Sequence, residues 1–195
     1  MIVFSDVHGN LKALNELLSR EAGPLVCAGD VLGTGGGNQE CLDLLQDRGI
    51  PCAAGNHEMD FLWLYQSLLR PETTAWVETW PYVLDYGEVR VVHTLLEPGL
   101  GALIYRQVER PEEALRLMRD HPARVVFMGH RHLPGWWEIS AGEATWRSAF
   151  GEEELVLREG SRYAVDVGSL GEPQPPQKGS YIHFEGSRIR FRRLG

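Results

Sequence analysis

Cysteine is scarce in this chain of 195 residues, which has three: Cys27, Cys41 and Cys52. An odd number of thiols cannot close into a full disulfide framework. Cys27 and Cys52 sit in apolar runs (PLVCAGD and IPCAAGN), the setting of buried free thiols in a reducing compartment. No run approaches the roughly 20 apolar residues that a membrane helix needs. The stretch MIVFSDVHGN has no basic region leading into a long apolar one, so no secretory signal is read there. The expectation is a soluble cytoplasmic protein. Positive charge is in deficit, with 19 Lys and Arg against 27 Asp and Glu and a formal net charge of -8. A sequence-blind nucleic-acid binder needs a positive surface to displace phosphate counterions. Stable nucleic-acid binding is therefore not expected, although a nucleotide substrate is compatible with this balance.

What remains is an ordinary globular composition, 43% hydrophobic and 24% charged. The length suits a single domain over residues 1–195 with a small insertion. Ile2-Val3-Phe4, Leu25-Val26-Cys27-Ala28 and Cys52-Ala53-Ala54 are short strand candidates. Between them lie two helical patterns, one capped by Asn10 and carrying Leu11, Leu14, Leu17 and Leu18, the other opened by Asn38. Strand, helix, strand, helix, strand predicts a parallel sheet with crossover helices. Residues 59–87 read as a helical, aromatic-rich insertion, with one helix from Met59 to Arg70 ended by Pro71. Val89–Val92 and Val125–Met128 are further strand candidates, with a helix from Pro111 between them. The last third reads as strands separated by glycines. Its final stretch, Arg188-Ile189-Arg190-Phe191-Arg192-Arg193, has the alternation of a half-exposed strand with a charged edge.

Five strand candidates run into residues that ligate metals. The first runs into Asp6 and His8, the second into Asp30, and the third into Asn56 and His57. The last two run into His93 and into His130 and His132. In open α/β sheets, ligands bind outside the carboxyl ends of the strands. If these strands share an edge, Asp6, His8, Asp30, Asn56, His93, His130 and His132 converge. Two carboxylates, one amide and four imidazoles suit a pair of divalent cations of borderline hardness, such as Mn, Fe or Zn. The period-two spacing of Asp6 with His8, and of His130 with His132, points both members of each pair the same way in an extended segment.

The ordered strings Asp6-Val7-His8-Gly9-Asn10, Gly29-Asp30, Gly55-Asn56-His57-Glu58, His93 and Gly129-His130-Arg131-His132 resemble the calcineurin-like metallophosphoesterase superfamily. Within it the chain looks most like the small bacterial and archaeal phosphodiesterases, helped by a glycine-rich loop at residues 33–37 and by Gly168-Ser169-Leu170-Gly171. The resemblance spans residues 2–184. It implies a four-layer α/β/β/α sandwich. It implies one cation on Asp6, His8, Asp30 and His132, and a second on Asp30, Asn56, His93 and His130, with manganese the first choice. It further implies attack on phosphorus by a metal-bridged hydroxide, with His57 as the acid near the leaving group. Arginines that clamp phosphate in protein-phosphatase relatives have no counterpart here, where Val31-Leu32-Gly33-Thr34 and Ala54 stand. Glu58 and Arg131 replace the usual aspartate and threonine, and Asp166-Val167 replaces Asn-Pro.

The expected activity is hydrolysis of small phosphate esters, phosphodiesters or nucleotides. Two alternatives stand beside it: a dinucleoside-polyphosphate hydrolase, and a catalytically silent scaffold that binds a protein partner. Asn10 and Arg131 are the candidate substrate contacts, Asn10 also being explained as a helix cap. Among the tryptophans, Trp76 and Trp80 are the first candidates for stacking on a base. Packing in the core explains the tryptophans equally, and a homodimer surface is compatible with them.

Overall fold

Successive side chains of a strand point to opposite faces, and in this protein the two faces feed different cores. Ile2 and Phe4 join an apolar cluster with Leu14, Leu17 and Leu42, while Val3 between them joins a second cluster with Val165 and Phe191. Val125 and Phe127 face that second cluster, and Val126 and Met128 face a third, with Leu117 and Trp137. The structure, a computed structural model, describes residues 1–99 and 103–195.

In chain order the strands are β1 (Ile2–Phe4), β2 (Leu25–Cys27), β3 (Val83–Asp85), β4 (Val89–Val92), β5 (Leu95–Pro98), β6 (Leu103–Arg106) and β7 (Val125–Met128). They continue as β8 (Gly135–Ser140), β9 (Glu143–Ser148), β10 (Glu154–Val156), β11 (Arg162–Asp166), β12 (Ser180–Glu185) and β13 (Arg188–Arg193). The helices are α1 (Leu11–Arg20), α2 (Asn38–Asp47), α3 (Asn56–Met59), α4 (Leu62–Tyr65), α5 (Pro71–Val77) and α6 (Pro111–Asp120). One sheet has the order β10-β13-β12-β1-β2 and the other β3-β4-β7-β11-β8-β9, with β5-β6 a separate hairpin. The middle cluster lies between the sheets, and the outer two lie under α1 and α2 and under α6. The architecture is the expected α/β/β/α sandwich.

Local chemistry explains the elements. The Asn10 side chain accepts from the Ala13 N–H, capping α1, whose Ala13, Leu14, Leu17 and Leu18 are buried. Pro111 opens α6, and Glu113 reaches back to the backbone N–H of Glu109 and of Arg110. Parallel pairing of β1 with β2, and of β7 with β4 and β11, brings several strand ends to common edges. No helix among the described residues is long and apolar enough to cross a membrane.

Four sequence expectations are corrected. Cys52-Ala53-Ala54 makes only a bridge to Cys27, because the Ala54 N–H turns away to the Pro81 carbonyl. The single helix expected from Met59 to Arg70 is three short pieces. The N–H groups of Asp60 and Phe61 share the Asn56 carbonyl and stop α3, after which α4 and a 3₁₀ turn (Gln66–Leu68) follow. Pro71 does not end a helix here; it occupies the first turn of α5, where its fixed φ is pre-organised. Finally, β13 is not an edge strand, since β10 covers it. Arg188 and Arg190 pair with Glu154, and Arg190 and Arg192 reach Glu185 and Glu152. The β5-β6 hairpin, β9 and β3, the last inside the stretch read as a helical insertion, were not expected.

Candidate metal centre

The chain leaves β1 and β2 through residues with unusual backbone geometry. Asp6, His8, Asp30, His130 and His132 all have positive φ, at 55°, 50°, 53°, 76° and 58°. Among the described non-glycine residues only Ala141 shares that conformation. Each such residue costs of order 1 kcal/mol, and such strain persists where surrounding contacts over-determine it. Here those contacts are visible. The N–H of Asp6 donates to the Gly29 carbonyl, that of His8 to the Asp30 carbonyl, and that of His130 to the Asp6 carboxylate. Two glycines permit the close approach. A Cβ at Gly55 would collide with the Asp30 carboxylate, and one at Gly129 with the Asp6 carboxylate and the Ser5 hydroxyl.

Five histidines and two aspartates meet at this place. His132 Nε2 lies 3.1 Å from Asp6 Oδ1 and 3.1 Å from His8 Nε2. His93 Nε2 lies 3.2 Å from Asp30 Oδ2, from the Asn56 side-chain oxygen and from His130 Nδ1. His57 joins the same cluster, its Nε2 4.0 Å from Asp30 Oδ2 and its ring edge-on to His8 at 4.8 Å. Three groups of donors each lie within a span a cation could bridge: Asp6-His8-His132, His8-Asp30-His57 and Asp30-His93-His130.

The imidazoles are oriented from behind. The Nδ1 atoms of His8, His93 and His132 lie 3.2, 2.9 and 2.7 Å from the carbonyls of Leu32, Ala28 and Glu172. A carbonyl can only accept, so each Nδ1 carries the proton and each Nε2 is directed at the cluster.

Electrostatics say the same. Burial opposes charge on His93, but the Asp30 carboxylate outweighs it and pushes the ring up to about 10. Burial likewise opposes charge on His8, where Asp6 wins and raises the ring to about 9. Burial would raise Asp6, but hydrogen bonds from His132 and His8 hold it well below the usual carboxylate range. His130, buried beside the charged His93, falls to about 4. Protons on His8 and His93 thus balance two buried carboxylates where divalent cations would otherwise do so. The mixed carboxylate, amide and imidazole donors fit such ions.

Around the cluster stand residues whose roles the sequence did not reveal. Buried Glu58 accepts four backbone N–H bonds, from Asp30, Val31, Leu32 and Gly55, at 2.8–3.0 Å. It ties the turn after β2 to the start of α3. Burial and the Asp30 charge push its carboxyl up to about 7 against those bonds. Glu58→Ala would orphan four buried donors, each worth about 1–3 kcal/mol. We expect a stability loss of at least about 4 kcal/mol, or failure to fold, read by urea denaturation. A loss under about 1 kcal/mol would show that water satisfies those groups. Ser169 donates to the Asp6 carbonyl, and the N–H groups of Leu170 and Gly171 bond Ser5 and Asp6, so the 168–171 loop braces the end of β1. Asp166 closes that loop by accepting from the Gly168 N–H, while its other oxygen is buried without a partner.

Tyr65 places its hydroxyl 2.9 Å from His57 Nδ1, with the rings stacked at 5.9 Å. Only a hydroxyl at a fixed distance from His57 would have flagged it, and the break in the helix hides that spacing. Asn10 and Arg131 have other partners: Asn10 caps α1 and donates to the Gly171 carbonyl, and Arg131 lies over the Trp146 ring and donates to the Val108 carbonyl. Trp80 is 6% exposed and packs edge-on against Trp76 in the core, so these two rings are packing residues. A cavity of about 640 Å³ exists at the opposite ends of β1 and β2, lined by Pro24, Leu25, Arg48 and Tyr86, and holds none of the cluster.

The model of the calcineurin-like phosphoesterase family matches residues 1–157, four-fifths of the chain and every residue of the cluster. The chain belongs to that family. This calcineurin-like phosphoesterase is a metal-dependent hydrolase of phosphate esters. It is 25% identical over 213 aligned positions to the uncharacterized protein MJ0912 of Methanocaldococcus jannaschii, covering 94% of this chain and 81% of that one. Its fold is similar to a metallophosphoesterase from Sphaerobacter thermophilus, with a TM-score of 0.79, 24% identity, and 100% and 87% of the two chains covered. It is also similar in fold to a putative diadenosine tetraphosphatase, with a TM-score of 0.56, 18% identity, and 100% and 93% covered.

Proposed function

We propose that this phosphoesterase hydrolyses small phosphodiesters or nucleotides at a site holding two divalent cations, manganese first, with iron or zinc as alternatives. One observation carries the reading: Asp30 is shared between two donor groups, so one carboxylate faces both halves of the cluster. Asp6, His8, Asp30 and His132 would hold one cation, and Asp30, Asn56, His93 and His130 the other. Such a pair stabilises the charge on attacking and leaving oxygens and makes water acidic. His57 stands beside this pair with Tyr65 on its Nδ1. When the Tyr65 hydroxyl donates there, the neutral ring carries its proton on Nε2, on the side of Asp30. Burial keeps His57 below its usual pKa despite the Asp30 charge, so at neutral pH it donates a hydrogen bond to the departing oxygen. The three free, buried thiols support a reducing compartment.

The test is to strip the protein with chelator, restore Mn, Fe, Zn or Mg singly, and assay nitrophenyl phosphate, bis-nitrophenyl phosphate and a dinucleoside polyphosphate. Cation-restored turnover strongest on the diester supports the reading. Preference for the polyphosphate selects the alternative hydrolase. Silence with two cations bound selects the scaffold.

Cation binding should also release protons. His8 and His93 are raised from 6.5 to about 9 and about 10, so both are charged at neutral pH before cations bind. Their contribution to the stability of the cation-free protein is complete below pH 6.5 and is lost as pH rises through about 9 and about 10. We expect cation affinity to rise over this window, with about one to two protons released per loaded site in calorimetry across buffers of different ionisation enthalpy. Cation-free protein should lose thermal stability over the same window, and loaded protein should not. Binding without proton release would remove these histidines from the ligand set.

A further inference from the structure

Large apolar side chains exposed on this protein are concentrated in one place. Five of the nine among the described residues fall between positions 59 and 68: Met59, Phe61, Trp63, Leu64 and Leu68. Scattered exposed apolar residues need no explanation, but a contiguous group marks a surface that meets something. This one adjoins His57, the hydrogen-bond donor of the proposed mechanism. The Phe61 ring stands edge-on to His57 with centroids 5.7 Å apart, and the Tyr65 ring stacks on His57 from a position four residues further on. Tyr65 is held by its hydroxyl bond to Nδ1, whereas Phe61 is 40% exposed and Trp63 67% exposed. His57 and Phe61, four residues apart, keep the spacing of neighbours on one helix face. The break after α3 brings Tyr65, eight residues from His57, onto the same ring, which a continuous helix would carry past it.

We propose that Phe61, backed by Tyr65, forms the leaving-group subsite, and that the preferred leaving group is an alcohol bearing a flat aromatic ring, as nucleosides and aryl alcohols do. The inference rests on the reading of His57 as the group beside the departing oxygen. The oxygen that His57 meets carries its substituent past the next groups outward, and those are rings. Aromatic faces favour a flat ring over an aliphatic chain through offset or edge-to-face contact. Trp80, buried in the core, and Trp76, half-buried against it, pack on each other instead.

The test compares methyl phenyl phosphate with methyl hexafluoroisopropyl phosphate, whose leaving alcohols are of similar acidity, on cation-loaded protein. Wild type should favour the phenyl ester, and Phe61→Ala should lower the phenyl-to-alkyl ratio of kcat/KM about tenfold. Phe61→Trp, which keeps a ring, should hold the ratio near wild type. Independently of turnover, ligand-observed NMR should show phenylphosphonate binding tighter than propylphosphonate in wild type, with the difference lost in Phe61→Ala. A ratio that moves by less than about twofold in active Phe61→Ala protein overturns the ledge alone. Wild type that binds two cations and cleaves neither ester overturns the phosphodiesterase reading, and the ledge with it.

Discussion

Asp30→Asn should lower turnover at least about 10³-fold, equivalent to about 4 kcal/mol of transition-state stabilisation. Asp30 Oδ1 accepts the His57 backbone N–H at 3.0 Å, and Oδ2 faces His93 at 3.2 Å. Asparagine can keep the first contact, so the turn and the fold survive. It cannot keep the second, because an NH₂ group then faces His93 and the negative charge that both halves of the cluster share is gone. Cation content by elemental analysis should fall below two per chain, while the thermal transition stays cooperative. Full turnover with two cations bound would sink the assignment of Asp30 as the shared ligand.

His57→Ala should separate substrates by their leaving groups. A neutral His57 helps by hydrogen-bonding the charge on the departing oxygen, and removing one such donor costs about 10²–10³-fold. For an alkyl phosphodiester we expect a loss of at least about 10²-fold, and for nitrophenolate, which leaves as a stable anion, less than about tenfold. His57 contributes no donor to either of the two cation groups assigned here, so cation content should stay unchanged. Equal losses for both esters would mean that the His57 ring acts by packing against His8 and Tyr65 rather than at the departing oxygen, since alanine keeps the backbone N–H that holds Asp30. Tyr65→Phe supplies a control, since it removes the hydroxyl on Nδ1 and leaves the stacked ring in place.

The cluster was legible in the sequence because its candidate donors follow strands that are short, apolar and bounded by glycine. Asp6, Asp30, His93 and His130 each lie just past a run of buried residues, and parallel pairing then carries them to common edges. The single helix expected from Met59 to Arg70 failed for an equally physical reason. Its apolar residues recur at helical spacing, but spacing does not reveal that two N–H groups compete for one carbonyl at Asn56. That competition ends α3, and the break lets Tyr65, eight residues from His57, come back onto its ring beside Phe61. The same limit hid the role of Glu58, whose four backbone partners come from two separate turns.

The layers and the cluster of candidate donors follow from residue identity and strand periodicity. Period-two alternation assigns each strand residue to one core or the other, and the identities of Asp, Asn and His fix which ions the cluster suits. Tertiary structure alone decided the positive φ of five of the clustered residues, the carbonyls that orient three imidazoles, and the pairing of Tyr65 with His57. Local propensity disfavours the first and is silent on the others. They arise only when contacts between residues distant in the chain hold a backbone or a ring where it would not rest alone.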